Sequence, residues 1–128
     1  MQALERILYA EDEPDIQQIA SLALEVVGGF TLKTCNSGLE ALAEIEAFEP
    51  QLLLFDVMMP DMDGPTALAK IRELDAFKNT PAIFMTAKVQ PTEVQKYLDM
   101  GAVDVIPKPF DPMTLATQIQ EIWARVQS

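Results

Sequence analysis

The chain of 128 residues contains no histidine. This excludes Ser/His/Asp catalysis, the usual zinc sites and any phosphohistidine made on this chain. Its one cysteine, Cys35, cannot form an internal disulfide; it reads as a small core residue in a chain suited to a reducing compartment. Basic residues are scarce, with nine Lys and Arg against twenty Asp and Glu and a net charge of −11. A surface of that sign argues against nucleic-acid binding, which needs a basic footprint. No apolar run approaches the ~20 residues of a membrane span. The opening MQALERILYAEDEPDI places Glu5 and Arg6 where a signal peptide has its apolar core. The expectation is a cytoplasmic protein that contacts neither nucleic acid nor membrane.

What is present is apolar patterning. Apolar residues make up 49% of the chain, which argues against disorder, and the length fits one domain over residues 1–128. The segments LERILYA (4–10), FTLKTC (30–35), QLLLFD (51–56), PAIFMTA (81–87) and AVDVI (102–106) read as strands. Between and after them, residues 14–29, 36–50, 65–77, 91–101 and 111–126 read as helices. The first carries Ile16, Ile19, Ala20, Ala23 and Val27 at helical spacing, with Pro14 suited to a first turn and Gly28-Gly29 to a stop. The strand QLLLFD is continuously apolar, as in a parallel sheet buried on both faces. Strict alternation of strand and helix implies a doubly wound α/β fold.

In such folds ligands bind beyond the carboxyl ends of the strands, where the strand order reverses. Strand one ends in Glu11-Asp12-Glu13, strand three in Asp56 and strand four in Thr86-Ala87; strand five is followed by Lys108-Pro109. Each has a bland reading alone: a helix-capping loop, an Asx-turn, a cap, a solvated lysine. Together they converge on one sheet edge. Two like charges about 4 Å apart repel by ~4 kcal/mol at an effective dielectric near 20. An oxygen-loving dication relieves this, and carboxylates with carbonyls and waters suit Mg²⁺. A carboxylate beside a dication and a lysine is suited to attack phosphorus and form an aspartyl-phosphate.

The motifs ILYAEDEPDI, LLLFDVMMPDMDG, AIFMTA and GAVDVIPKPF together resemble the CheY-like receiver domains of two-component response regulators, across essentially the whole chain. The resemblance implies a flavodoxin-like five-stranded parallel sheet in order 2-1-3-4-5. It implies Asp56 as phosphoacceptor and Mg²⁺ held by Asp12 directly, by Glu11 through water, by Asp56 and by the backbone carbonyl of Met58. Thr86, Ala87 and Lys108 would meet the phosphoryl oxygens, and Lys108-Pro109 would be joined by a cis peptide. The implied donor is a histidine kinase or histidine phosphotransfer protein. The implied output is a downstream protein or a self-dimer, docked on the face made by helix four, strand five and helix five, with Tyr97, Val105, Pro107 and Trp123 on it.

Two positions depart from the family pattern. Glu11 stands where Asp is commoner. Val105 stands where many receivers carry a Tyr or Phe that swings inward with the Thr86 position, and valine has no ring and a stiff χ1. Three rival readings compete. DMDGPT (61–66) resembles the DxDGT motif of haloacid-dehalogenase-like phosphatases, which needs its first Asp at a strand end. An EF-hand reading of the same stretch fails because Arg72 takes the place of the bidentate Glu. The third is a receiver-fold binding module that is never phosphorylated. Asp61 and Asp63 read as turn residues and not ligands.

Overall fold

The segment Leu52–Asp56 (β3) is buried at all five positions, and it is the central strand of the sheet. The computed structural model describes residues 2–127. Around β3 lie Arg6–Ala10 (β1), Thr31–Cys35 (β2), Ala82–Thr86 (β4) and Asp104–Pro107 (β5). All pairings are parallel, in the order β2-β1-β3-β4-β5. The fold is therefore the doubly wound, five-stranded one implied by the alternating pattern.

The period of two sorts β3 between two cores. Leu52 and Leu54 join Ile7, Tyr9, Ile83 and Met85 on one face; Leu53 and Phe55 join Leu8, Ala10 and Phe84 on the other. The first face is covered by Pro14–Ser21 (α1) with its continuation, and by Leu115–Gln127 (α5). The second is covered by Gly38–Phe48 (α2), Gly64–Ile71 (α3) and Pro91–Asp99 (α4). Each Leu, Ile or Phe fully withdrawn from water adds roughly 1.5–3 kcal/mol. A continuously apolar central strand therefore contributes to both layers at once.

Several boundaries differ from the sequence reading. The first helix does not stay α-helical: Leu22–Val27 winds as a π-helix, with Gly28 N–H donating to Ala23 O at 3.0 Å, five residues back. The widened turn changes the angle between successive residues, so the stripe at α spacing is not kept. Ala20, Ala23 and Leu24 are buried, while Ile19 and Val27 are exposed. The third helix ends at Ile71 and not near residue 77. Leu74 is extended, a short 3₁₀ turn (Asp75–Phe77) follows, and Phe77 drops into the core. Arg72 holds this exit by donating to the carbonyls of Phe77 and Thr80. The last helix begins at Leu115, because residues 111–114 form a turn in which Asp111 accepts from the Met113 and Thr114 amides.

Trp123 is buried and its indole N–H donates to Gln2 O at 2.7 Å. It packs with Ile122 in the α1/α5 core, so it does not lie on an exposed output face. Tyr97 is buried as well, on the opposite side of the sheet; the outward residues expected with them are Pro107, exposed, and Val105, half-buried.

Candidate functional site

The order β2-β1-β3 means that the chain leaves β1 toward one side and β3 toward the other. The loops after these strands part and leave a crevice above the adjacent ends of β1 and β3. Glu11 directly follows β1 and Asp56 is the last residue of β3. Both are buried, Glu11 at 0% exposure and Asp56 at 4%, and Asp12 is half-buried beside them. One carboxylate oxygen from each of Glu11, Asp12 and Asp56 lies within 4.8 Å of the others.

Lys108, just past β5, reaches across the sheet edge into this cluster. Its Nζ is 3.0 Å from Glu11 Oε1 and 3.2 Å from Asp56 Oδ2. Burial pushes the Glu11 carboxyl up to about 7, with Asp56 adding to the shift and Lys108 opposing it. Burial works against the Lys108 ammonium, but the hydrogen bond to Glu11 and the charges of Asp56 and Glu11 outweigh it and raise its pKa. The lysine is therefore a fixed cation facing two acids.

Thr86 ends β4 and is buried at 4% exposure. Its Oγ1 accepts from Lys88 N–H at 3.0 Å, which leaves the hydroxyl hydrogen free to be donated. Ala87, next to it, is exposed. The backbone N–H of Lys108 donates to Thr86 O at 2.9 Å, tying the β4 and β5 ends together. The Lys108–Pro109 peptide is cis. Met58 follows β3 in the loop with its side chain exposed. Val105 pairs with Phe84 in register and lies below this edge.

The loop after Asp56 is shaped by turn residues. Asp61 has a left-handed backbone (φ 69°), and Asp63 caps α3 by accepting from Thr66 N–H at 2.8 Å. Asp61 is thus exposed in a loop five residues beyond the strand end, where the phosphatase motif would not function.

Two supporting residues escaped the sequence reading. A Cβ built on Gly64 would stand 2.4 Å from Asp56 O, so only glycine lets α3 begin this close to the Asp56 backbone. Gln17 on α1 donates its amide to Glu11 O and, at 2.8 Å, to Asn36 Oδ1. Asn36 in turn donates to Glu40 Oε1. The DG pair at 63–64 was a readable signal for Gly64; nothing in the sequence flags Gln17, because its partners come from other loops.

A buried carboxylate, two acidic neighbours, a hydroxyl and a lysine gather at the carboxyl edge of an open parallel sheet. Residues 7–120 match the response regulator receiver domain, and the chain belongs to that family. It is a receiver domain of two-component signalling. Its fold is similar to that of the chemotaxis response regulator CheY4 of Vibrio cholerae, with a TM-score of 0.86 and 29% identity over 94% of this chain and 99% of that one. It is 36% identical to an uncharacterized 14.6 kDa protein from Leptolyngbya boryana, covering 90% of this chain and 87% of that one. It is 34% identical to the transcriptional regulatory protein CpxR homolog of Haemophilus influenzae, covering 98% of this chain and 53% of that protein. The chain spans about half the length of several curated relatives it matches. Among the described residues no helix is long and apolar enough to cross a membrane.

Proposed function

We propose that Asp56 accepts a phosphoryl group from a phosphohistidine on a histidine kinase or histidine phosphotransfer protein. The observation that carries this reading is the approach of Lys108 Nζ to 3.2 Å from a carboxylate that ends the central strand and lies within 4.8 Å of two further acids. An Asp56 oxygen attacks phosphorus; the new O–P bond forms as the N–P bond breaks, and the imidazole leaves on the donor protein. The chain supplies no histidine of its own, so the donor is a separate molecule or a separate segment.

Glu11, Asp12 and Asp56, with the backbone carbonyl of Met58, would hold Mg²⁺. The donor set suits it, being all oxygen, with three clustered carboxylates facing a single lysine. When bound, the ion neutralises charge on the phosphoryl oxygens. Lys108 would contribute a further positive charge beside Asp56, and Thr86 would donate its hydroxyl hydrogen to a phosphoryl oxygen. The exposed Ala87 leaves the approach open.

The donor reaches Asp56 over an apolar groove of about 370 Å³ that runs from α1 to the loop after β5. Ile16, Ile19, Ala87, Lys108, Phe110 and Pro112 are among the residues that line it. The protein acts as a signalling phosphoacceptor in the cytoplasm, turning over only its own phosphorylation and slow dephosphorylation. Its phosphorylated form docks a downstream protein or a second copy through α4, β5 and α5.

Acetyl phosphate with Mg²⁺ tests the reading directly. Mass spectrometry should show one added phosphoryl group, lost on treatment with hydroxylamine and absent without the metal. Undiminished labelling of Asp56→Asn would refute the assignment.

A further inference from the structure

The nine-residue α4 is held on the body by one buried side chain. Tyr97 is the only buried residue of Pro91–Asp99; Glu93 and Val94 are half-buried and the others are exposed. By contrast α5 buries five residues and α3 four. A helix with so little buried apolar contact belongs to the low-stability part of a fold, where local opening is easiest.

What Tyr97 packs against connects this pin to the crevice. Its ring meets Phe84 edge to face, with centroids 5.6 Å apart and planes at 78°. Phe84 lies two residues before Thr86 on β4, and side chains two apart on a strand leave the same face of the sheet. Val105, register-paired with Phe84, packs against the same cluster but offers no ring, so the aromatic contact at this point comes from α4. The other end of α4 is tied to the same threonine. Thr86 Oγ1 accepts from Lys88 N–H, at the start of the short loop that enters α4 at Pro91. The N-terminal residue before that helix, Gln90, makes no side-chain cap that would anchor it independently.

We infer that Tyr97 is the positioning residue through which Thr86 controls α4. The inference rests on the phosphoacceptor reading above. When Thr86 turns toward a phosphoryl oxygen on Asp56, the Lys88 amide loses its acceptor and the loop into α4 is released. The helix then resets about the Tyr97–Phe84 contact, its one buried anchor. The equilibrium is between two seatings of α4, and phosphorylation biases it by binding one of them better. In this chain the aromatic part of the switch therefore resides on a helix and not on β5.

Amide hydrogen exchange on the whole chain, with and without beryllium fluoride and Mg²⁺ as the phosphoryl mimic, tests this. In the wild type and in Tyr97→Phe, exchange should change both at the crevice and along residues 91–99. In Tyr97→Leu the crevice response and acetyl phosphate labelling should persist, while the α4 response falls by roughly fivefold or more and basal exchange of α4 rises. Phe84→Leu, which removes the other ring, should give the same split. An α4 response in both leucine variants equal to that of the wild type would overturn the proposal, as would a wild-type response confined to the crevice. Absence of any wild-type response at the crevice overturns the phosphoacceptor reading itself, and the coupling with it.

Discussion

Lys108 Nζ lies 3.0 Å from Glu11 Oε1, a carboxylate with no solvent exposure that is 97 residues earlier in the chain. The same ammonium reaches Asp56, so one cation compensates two acids from different strands. Lys108→Ala removes that compensation without cutting into the apolar core. It is expected to lower acetyl phosphate labelling of Asp56 by roughly tenfold or more, in line with the loss of an electrostatic stabiliser. The melting temperature should change much less. Equal labelling in the variant and the wild type would show that the lysine serves only the resting state.

The raised Glu11 carboxyl makes the metal-free protein sensitive to pH. Its value rises from an ordinary 4.5 to about 7, so the folded state holds a proton that the unfolded state releases. Below pH 4.5 both states are protonated and the stabilising difference is fully present. As pH rises from there through about 7 it is lost, by on the order of 3 kcal/mol. Denaturant titrations in EDTA should show stability attributable to this group falling across that window. In Glu11→Gln this slope should disappear.

Millimolar Mg²⁺ should raise the melting temperature, since a ligand that binds only the folded state stabilises it by mass action. Asp12→Ala removes one of the three clustered carboxylates and should abolish the rise. A thermal shift of the same size in the variant would place the metal elsewhere.

Gly64→Ala tests how closely α3 must approach the site. The added Cβ would meet the backbone oxygen of Asp56 at 2.4 Å, and backbone cannot swing aside as a long side chain does. The variant should be less stable by about 1–3 kcal/mol, as overpacked sites are, and should accept phosphoryl more slowly. Chemical denaturation and labelling rates check the two effects separately.

Tyr9 gives the opposite expectation. Its hydroxyl is sealed in the α1/α5 core with no hydrogen-bond partner among the described residues. Burial raises its pKa further from neutrality, with Glu11 and Asp56 adding to the effect. An unpaired buried polar group is destabilising by roughly 1–3 kcal/mol, so Tyr9→Phe should stabilise the protein, on the order of 1 kcal/mol. A loss of stability would show that the hydroxyl has a solvent partner.

The fold class was legible because each strand and most of each helix carry their own periodicity. The continuous run Leu52–Phe55 marks a strand buried on both faces, and Asp56 at its end marks where the chain meets the crevice. The residues that converge there were legible too, since parallel strands bring their carboxyl ends to one edge whatever the details of packing. Local turn chemistry was equally readable in Asp61 and Asp63. What only the tertiary structure decided depends on contacts between distant segments. The π-helical turn at Leu22–Val27 and the early end of α3 follow from how those segments settle on the sheet, which local propensity does not encode. Trp123 sits at the edge of a helical stripe in sequence, but Gln2 from the other end of the chain supplies the acceptor that lets its indole be buried. Tyr97 looked like a surface aromatic on a polar helix; it is buried because Phe84 on β4 and the short Val105 on β5 leave it a place. Sequence periodicity sets which face of an element is apolar, whereas the partner that covers each residue is set by packing across the fold.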